Sequence, residues 1–397
     1  MSEHAPIERR TSEPQPAQMR PTEAGVEPRK DSHENSNEEM PRVVLTRRRL
    51  LISLLFVASA VAFLYFVLPR LLGLKETWNR IQHGNGWWLA FAAVLEVCSF
   101  LGYIALFRAV FVRGKSRIDW RASYQITMSG LAATRLFASA GAGGIALTAW
   151  ALRRSGMEPR VVGCRMVAQL SLLYGVFMTS LVVVGLGLYI GVIPGGGSFA
   201  LTVVPALFGA IVIALFLSVS LLPGDFDRLV KRWTSDSRFG RMTARLAKVP
   251  ATAATGIRTA IDLVRSKNPY LLGAIAWWGF DIAVLWACFH AFGASPPKGV
   301  IIMAYFIGQF GNTLPLPGGI GGVDGGMIGA FTAFDVGVQV SVVSVLAYRA
   351  FSFWLPTLPG AIAYLQLRRT VHRWQDEPTA DARGAGGVLS SASGRAS

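Results

Sequence analysis

Long uninterrupted runs of apolar residues are the feature that most constrains this chain. Six runs reach or approach the ~20 residues that an α-helix needs to cross a hydrocarbon core of about 30 Å. They are Leu50–Leu68, Trp87–Phe111, Met166–Ile190, Ala200–Leu222, Tyr270–Phe292 and Val338–Leu365. Apolar runs of this length are typical of a chain whose solvent is lipid. They predict an all-α membrane protein with about six full transmembrane helices.

The overall composition agrees with a membrane location. Hydrophobic residues make up 52% of the 397 residues and charged residues only 16%, against about 25% charged residues in a typical soluble domain. The net charge is +16, but the basic residues flank the apolar runs. This placement indicates contact with anionic headgroups rather than binding of nucleic acid. We therefore expect membrane lipids as partners and no nucleic acid.

The residue types that hold metals and cofactors are sparse. The three cysteines, Cys98, Cys164 and Cys288, are scattered and form no CxxC pair, so they predict neither a disulfide framework nor a zinc site. No GxxxxGK[ST] run that would cradle a nucleotide phosphate is present. We expect no metal and no cofactor.

Two further apolar stretches contain helix-breaking residues at their centres. Ser123–Leu152 carries Arg135 and the Gly-rich run at 140–144, and Val300–Phe334 carries the Pro- and Gly-rich run at 312–322. Such residues free backbone groups that lipid cannot satisfy, so the breaks must be buried in protein or line a wet cavity. These stretches predict two re-entrant hairpins.

The basic residues orient the chain in the membrane. If Ser123–Leu152 turns back instead of crossing, Arg153, Arg154, Arg160 and Arg165 stay on the cytoplasmic side with both termini, as the positive-inside rule prefers. The first hairpin then enters from the cytoplasm and the second from the outer face of a bacterial inner membrane. Opposite insertion favours an inverted repeat. When the sequences of the two hairpins are aligned, four residues are identical. Leu136, Gly141, Gly143 and Gly144 match Leu314, Gly319, Gly321 and Gly322.

The chain divides by composition into a membrane domain and two polar ends. Residues 1–46 and 371–397 bury too little apolar surface to fold and should be disordered, whereas 47–370 form the membrane domain. Within it, 223–269 is predicted to be a basic cytoplasmic loop. Apolar and basic residues alternate around Trp233, which is typical either of an amphipathic helix on the inner leaflet or of a solvated loop.

The Gly-rich segments also resemble those of a known family. Residues 311–324 read GNTLPLPGGIGGVD and are followed by Arg349, while the first-half counterpart reads GAGG at 141–144 and LRRSG at 152–156. These segments, and the order of the spans around them, resemble the flippase-like family of lysylphosphatidylglycerol synthase transmembrane regions over roughly residues 48–368.

The resemblance implies the translocating half of the bifunctional members. We expect no synthase domain, because the segment after the last span is short. Family members often place an acidic residue just after the Pro-Gly run, and Asp324 matches it. The first hairpin departs from the second by having Phe137-Ala138-Ser139 in place of Pro315-Leu316-Pro317.

Five ionisable residues at membrane depth are candidate site residues, because a charge there needs a partner or a wet cavity. Asp324 suits a cationic headgroup or a proton, or caps a helix. Arg135 suits a lipid phosphate, or pairs with Asp324 or Glu96. Glu96 and Asp281 line a polar cavity or hold helices together. Arg349 pairs with a carboxylate such as Asp281, or contacts substrate.

The Gly-rich turns are the remaining candidates. Free amides at half-helix N-termini suit an anionic phosphate, whereas the alternative is close helix packing by small residues. The predicted substrate-binding residues of the turns are Gly141, Gly143, Gly144, Asn312, Gly318, Gly319, Gly321 and Gly322.

These features favour a lipid translocase that moves an anionic, aminoacylated or polyprenyl-linked lipid between leaflets. We expect no enzymatic activity, because the sequence has no recognisable catalytic constellation. Two alternatives stay open: a membrane-embedded lipid-modifying enzyme, and a scaffold that recruits a lipid synthase or another envelope-assembly partner.

Overall fold

The computed structural model describes residues 84–112, 116–136, 142–221, 238–314 and 319–376. This part of the chain is helical and contains no strand. Its helices are α1 (Gly86–Phe111), α2 (Trp120–Leu136), α3 (Ala142–Arg154), α4 (Pro159–Tyr189), α5 (Phe199–Ser220), α6 (Arg238–Arg265), α7 (Gly273–Ala291), α8 (Lys298–Gln309), α9 (Gly322–Ala333), α10 (Val338–Arg349) and α11 (Leu355–Asp376). Short 3₁₀ turns, Pro269–Leu272 and Phe310–Thr313, precede α7 and follow α8, and a π-helix, Ala350–Trp354, joins α10 to α11.

Five helical segments in the described ranges are long and apolar enough to cross a membrane. They are Gly86–Phe111, Pro159–Tyr189, Phe199–Ser220, Pro269–Ala291 and Val338–Trp374. These segments coincide with five of the six predicted spans. The other predicted span, Leu50–Leu68, lies outside the described residues. The prediction of an all-α membrane protein is confirmed.

The outer surface of the bundle is apolar. On α5, the side chains of Val204, Leu207, Ile211 and Leu215 are each more than half exposed. Such a continuous apolar surface would be costly in water and is stable against lipid tails. The helix therefore presents this face to the bilayer.

The helices on either side of each Gly-rich run pack against each other as a pair. Helices α2 and α3 have 17 and 13 residues, and α8 and α9 have 12 each. At 1.5 Å per residue these helices are about 18 to 25 Å long, which is short of a hydrocarbon core of about 30 Å. Their lengths suit segments that enter a bilayer without crossing it, and the inverted repeat stays a prediction.

Helices α1 and α7 pack along each other. Their backbones approach closely at Gly102 and Gly273, where a Cβ on Gly273 would collide with the carbonyl oxygen of Gly102. The core of the described residues also contains large buried aromatic side chains, such as Phe107, Phe289 and Phe306. The close approach places residues on the facing sides of α1 and α7 next to one another.

The 223–269 segment differs from the predicted loop, because residues 238–265 form helix α6, which packs against α4 and α5. Its buried stripe consists of Ala254, Ile257, Ala260 and Leu263, spaced as on one face of an α-helix. Two alanines make that stripe only weakly apolar. The region around Trp233 lies outside the described residues.

The last helix is longer than predicted. Helix α11 continues to Asp376, past the predicted boundary at 370. Thr370 and Val371 are buried, and α11 packs along α2. Burial of this turn against the bundle explains why it is helical despite its polar sequence.

Candidate functional site

The five ionisable residues predicted from the sequence come together inside the bundle. Glu96 lies on α1, Arg135 in the last turn of α2, Asp281 on α7, Asp324 in the first turn of α9 and Arg349 in the last turn of α10. The Arg135 guanidinium is within electrostatic range of Glu96, Asp281 and Arg349. We call these five residues the charged cluster.

Asp324 has a partner for each carboxylate oxygen. Its Oδ1 lies 2.7 Å from Arg349 Nε, and its Oδ2 accepts a hydrogen bond of 2.8 Å from the backbone N–H of Gly321. Gly321 has a φ of 84°, which favours glycine. The carboxylate thus caps the positive end of α9 and neutralises Arg349. The cap that we considered is present, and the ion pair is with Arg349 instead of Arg135.

Asp281 is held by two tyrosines that the sequence analysis missed. The Tyr348 hydroxyl donates to Asp281 Oδ2 at 2.8 Å, and the Tyr305 hydroxyl donates to the same oxygen. Both tyrosines are among the largest fully buried side chains of the described residues. The only sequence signal was a tyrosine within an apolar helix, which is common at packed positions.

Glu96 lies against Asp281, and only 1% of it is exposed. The two side chains are within hydrogen-bonding range of each other. Its Oε2 atom is buried and has no hydrogen-bond partner in the part of the chain that the structure describes. Two ionised carboxyl groups in such contact would repel each other strongly.

Arg135 provides a buried donor without an acceptor. Its Nη1 atom has no hydrogen-bond partner among the described residues. The guanidinium Cζ lies 5.8 Å from the centre of the Phe100 ring. A guanidinium binds a phosphate through two parallel hydrogen bonds, so Arg135 has the chemistry to bind an anionic group at the end of α2.

Several glycines of the turns serve close packing. A Cβ on Gly144 would collide with Thr134 and with the carbonyl oxygen of Gly130 on α2, and Gly322 lies against Gly311. Helix contacts this close require residues without side chains. The packing alternative therefore accounts for the geometry of Gly144 and Gly322.

The other predicted turn residues are placed differently. Gly319 has a φ of 65° and lies against the side chain of Asn312, whose Nδ2 donates to Gln309 Oε1 at 2.6 Å. Gly143 lies in the first turn of α3. Gly141 and Gly318 lie outside the described residues, and the predicted contact of these turns with a phosphate stays a prediction.

The described ranges contain few residues that could bind a metal. They contain no group of three or more His, Cys, Asp or Glu residues that could hold a metal ion. The cysteines Cys98, Cys164 and Cys288 are unpaired thiols. The chemistry of the charged cluster is therefore that of carboxyl, guanidinium and phenol groups.

Comparison with known proteins agrees with this architecture. Residues 50–360 match the model of the lysylphosphatidylglycerol synthase TM region. A membrane protein named UPF0104 from Methanothermobacter thermautotrophicus is 25% identical over 324 residues, which cover 78% of this chain and 94% of that protein. Another UPF0104 membrane protein of the same organism is 32% identical over 112 residues.

The second of these alignments covers 27% of this chain and spans only 31% of the relative. The family match, in contrast, includes the hairpins, the spanning helices between them and all five members of the charged cluster. Together with the apolar spanning helices, it makes this a multi-pass integral membrane protein. The chain belongs to the family of the lysylphosphatidylglycerol synthase TM region.

Proposed function

We propose that this protein is a flippase-like translocase, which moves an anionic lipid between the two leaflets of the bacterial inner membrane. The observation that carries the proposal is the buried Nη1 of Arg135, a donor without an acceptor in the described residues, in the last turn of α2. A buried guanidinium N–H without a hydrogen-bond acceptor is unfavourable, and a bound phosphate oxygen would supply that acceptor.

The physical requirement of lipid translocation matches this arrangement. A phosphate headgroup loses its hydration when it enters hydrocarbon, and a buried guanidinium replaces part of that hydration with hydrogen bonds. The acyl or polyprenyl tails need no protein cavity, since the exposed apolar faces of the helices already face lipid. The substrate classes are therefore lipids whose headgroup carries a phosphate: anionic phospholipids, their aminoacylated derivatives and polyprenyl phosphates.

The same proposal assigns the chain a transport role without catalysis. The charged cluster lies among apolar helices, and its carboxyl groups are occupied by tyrosines, by Arg349 or by each other. Both termini face the cytoplasm in this proposal, where a lipid synthase or an envelope-assembly protein would act as partner. A lipid-modifying enzyme would instead convert lipid chemically in detergent, where no sidedness exists.

The test is lipid exchange in liposomes. Purified protein should accelerate movement of a fluorescent phosphatidylglycerol from the inner to the outer leaflet, measured by quenching with an impermeant reductant. Arg135→Gln should abolish the acceleration, while Lys298→Gln should retain it, because Lys298 is exposed and outside the cluster. Lysylphosphatidylglycerol and a fluorescent polyprenyl phosphate complete the panel.

A negative result over the whole panel contradicts the proposal. If no lipid moves faster than in protein-free vesicles, with or without an imposed proton gradient, the protein is not a translocase. Retention of full activity by Arg135→Gln would show that the buried guanidinium is not the headgroup site.

A further inference from the structure

The three buried carboxyl groups of the cluster have unequal surroundings. Asp324 has Arg349 and a backbone amide as partners, and Asp281 accepts hydrogen bonds from two tyrosines. Glu96 has neither an ion pair nor a hydroxyl donor, and its Oε2 has no hydrogen-bond partner among the described residues. Glu96 is therefore the carboxyl group in the cluster that is least stabilised as an anion.

Because Glu96 and Asp281 are in contact, they would repel each other if both were ionised, so the pair holds one proton. The hydrogen bonds that each carboxyl group receives determine which of the two carries it. Hydrogen bonds donated to a carboxylate stabilise its charged form. Asp281 receives two such bonds from Tyr305 and Tyr348, so the negative charge resides on Asp281. The proton then resides on Glu96, which can donate it in a hydrogen bond to Asp281.

The groups around Glu96 come from four helices. Within electrostatic range of Glu96 lie Asp281 and Cys288 of α7, Arg135 of α2 and Tyr348 of α10. Tyr305 of α8 binds Asp281. Among these groups, only Arg135 carries a positive charge. Arg349, the other cation of the cluster, is engaged by Asp324.

The charge state of Glu96 therefore alters the electrostatic potential at Arg135. While Glu96 is protonated, it adds no negative charge to that of Asp281, whose carboxylate is engaged by two tyrosine hydroxyls. The Nη1 atom of Arg135, which has no partner among the described residues, is then available to an external anion. Once Glu96 loses its proton, the new carboxylate lies within electrostatic range of Arg135 and competes with that anion. The competition occurs in a low-dielectric interior, where it is strong.

We propose that Glu96 is a proton-binding site and that its protonation is coupled to the binding of a phosphate-bearing anion at Arg135. A proton and an anionic headgroup then bind together and leave together. Linkage requires that the anion increases the affinity for the proton by the same factor as the proton increases the affinity for the anion. The inference rests on the proposed function only in taking the anion to be a lipid headgroup.

The coupling is tested by proton uptake in detergent, without any transport. Dihexanoyl phosphatidylglycerol is added to the purified full-length protein in weak buffer with a pH-sensitive dye, and binding is measured by calorimetry. Wild-type protein should take up about one proton per lipid bound at a pH where Glu96 is ionised in the free protein. Its apparent affinity should fall about tenfold per pH unit as pH rises through that range.

Two variants make the test specific. Glu96→Gln has a neutral side chain at every pH, so it should bind the same lipid without proton uptake and without the fall in affinity. Asp335→Asn should behave as wild type, because Asp335 is an exposed carboxylate whose φ of 61° suits asparagine. Inorganic phosphate serves as a second probe, which separates recognition of the phosphate from recognition of the lipid.

The outcomes distinguish this inference from the proposed function. Binding with an affinity independent of pH, or uptake in Glu96→Gln equal to wild type, overturns the coupling even if liposomes show lipid movement. An affinity that depends on sodium instead of pH overturns the coupling as well. So does a protein that binds neither the lipid nor inorganic phosphate. Proton uptake on binding, in a protein that moves no lipid, supports the coupling and contradicts the translocase. The wild-type measurements decide the matter if Glu96→Gln fails to fold.

Discussion

The two helical hairpins share a design but hold their charges in opposite ways. Each contains two short packed helices on either side of a Gly-rich run of the sequence. Each also carries a charged residue near the helix end that faces this run in the sequence. In the second hairpin Asp324 has an ion pair and a backbone amide as partners. In the first, Arg135 has a buried Nη1 atom without a hydrogen-bond partner in the described ranges.

The hairpins also differ in the polarity of the residues that they bury. Helix α2 carries buried polar residues, and Gln125 on it accepts a hydrogen bond of 2.8 Å from Thr370 on α11. Helix α9 instead buries Val323, Met327 and Phe331 in the apolar core. We infer that the second hairpin has a structural role, because its charged group has partners within the protein. The first hairpin is then the one that binds a ligand.

The strongest test of the comparison is the side from which each hairpin enters the membrane. In a background without Cys98, Cys164 and Cys288, a cysteine at Ser155 should be protected from an impermeant thiol reagent in intact cells. A cysteine at Ser295 should be labelled, because the positive-inside rule places these two sites on opposite sides. The expected difference is all or none.

Permeabilised cells provide the control, since both sites should then react. Labelling of Ser155 from outside would mean that the first hairpin crosses the membrane. The two hairpins would then no longer be related by opposite insertion.

A large effect on stability is expected in the second hairpin. Asp324→Asn removes the anion next to Arg349 and leaves a buried guanidinium uncompensated, which should lower the free energy of unfolding by about 3–5 kcal/mol. Thermal denaturation in detergent measures it, with Asp335→Asn as the matched control. Combining Asp324→Asn with Arg349→Met should restore part of the loss, and an unchanged melting temperature in the single variant would contradict the ion pair as a stabilising contact.

The smallest effect on stability is expected in the first hairpin. Arg135→Gln removes no hydrogen bond from Nη1, and Asp281 keeps its two tyrosine donors when the guanidinium is lost. The free energy of unfolding should therefore change by only about 1 kcal/mol, less than in Asp324→Asn. The same melting experiment measures it, beside Lys298→Gln. A loss as large as that of Asp324→Asn would mean that Arg135 is a structural ion-pair residue, and the contrast between the hairpins would disappear.

The sequence was sufficient to find the members of the charged cluster, but it did not determine their pairing. An ionisable residue in an apolar run stands out because lipid cannot solvate it. Which partner it meets depends on the rotation of each helix about its axis, and one residue corresponds to about 100° of rotation. This is why the pairing of Asp324 with Arg349, and the two tyrosines on Asp281, became evident only from the structure.

Helix α6 is a second feature that the sequence analysis did not predict, for a different reason. Its buried face is built from Ala254, Ile257, Ala260 and Leu263, and alanine contributes little to a hydropathy window. A search for apolar positions at a spacing of three or four would have detected it. The five spans described here, in contrast, were evident from run length alone, because bilayer thickness sets their minimum length.

The π-helix between α10 and α11 is a place where the last span can lose one residue without a change in its packing. A π turn contains one residue more than an α turn, so Ala350–Trp354 acts as a one-residue insertion into an otherwise regular helix. Deleting one residue there would restore α-helical geometry and keep Arg349 against Asp324 and Gly360 against Ala132. A deletion elsewhere in the span would rotate everything beyond it by about 100°. Relatives that differ in length by one residue in this helix can therefore preserve both contacts, provided that the gap falls at this turn.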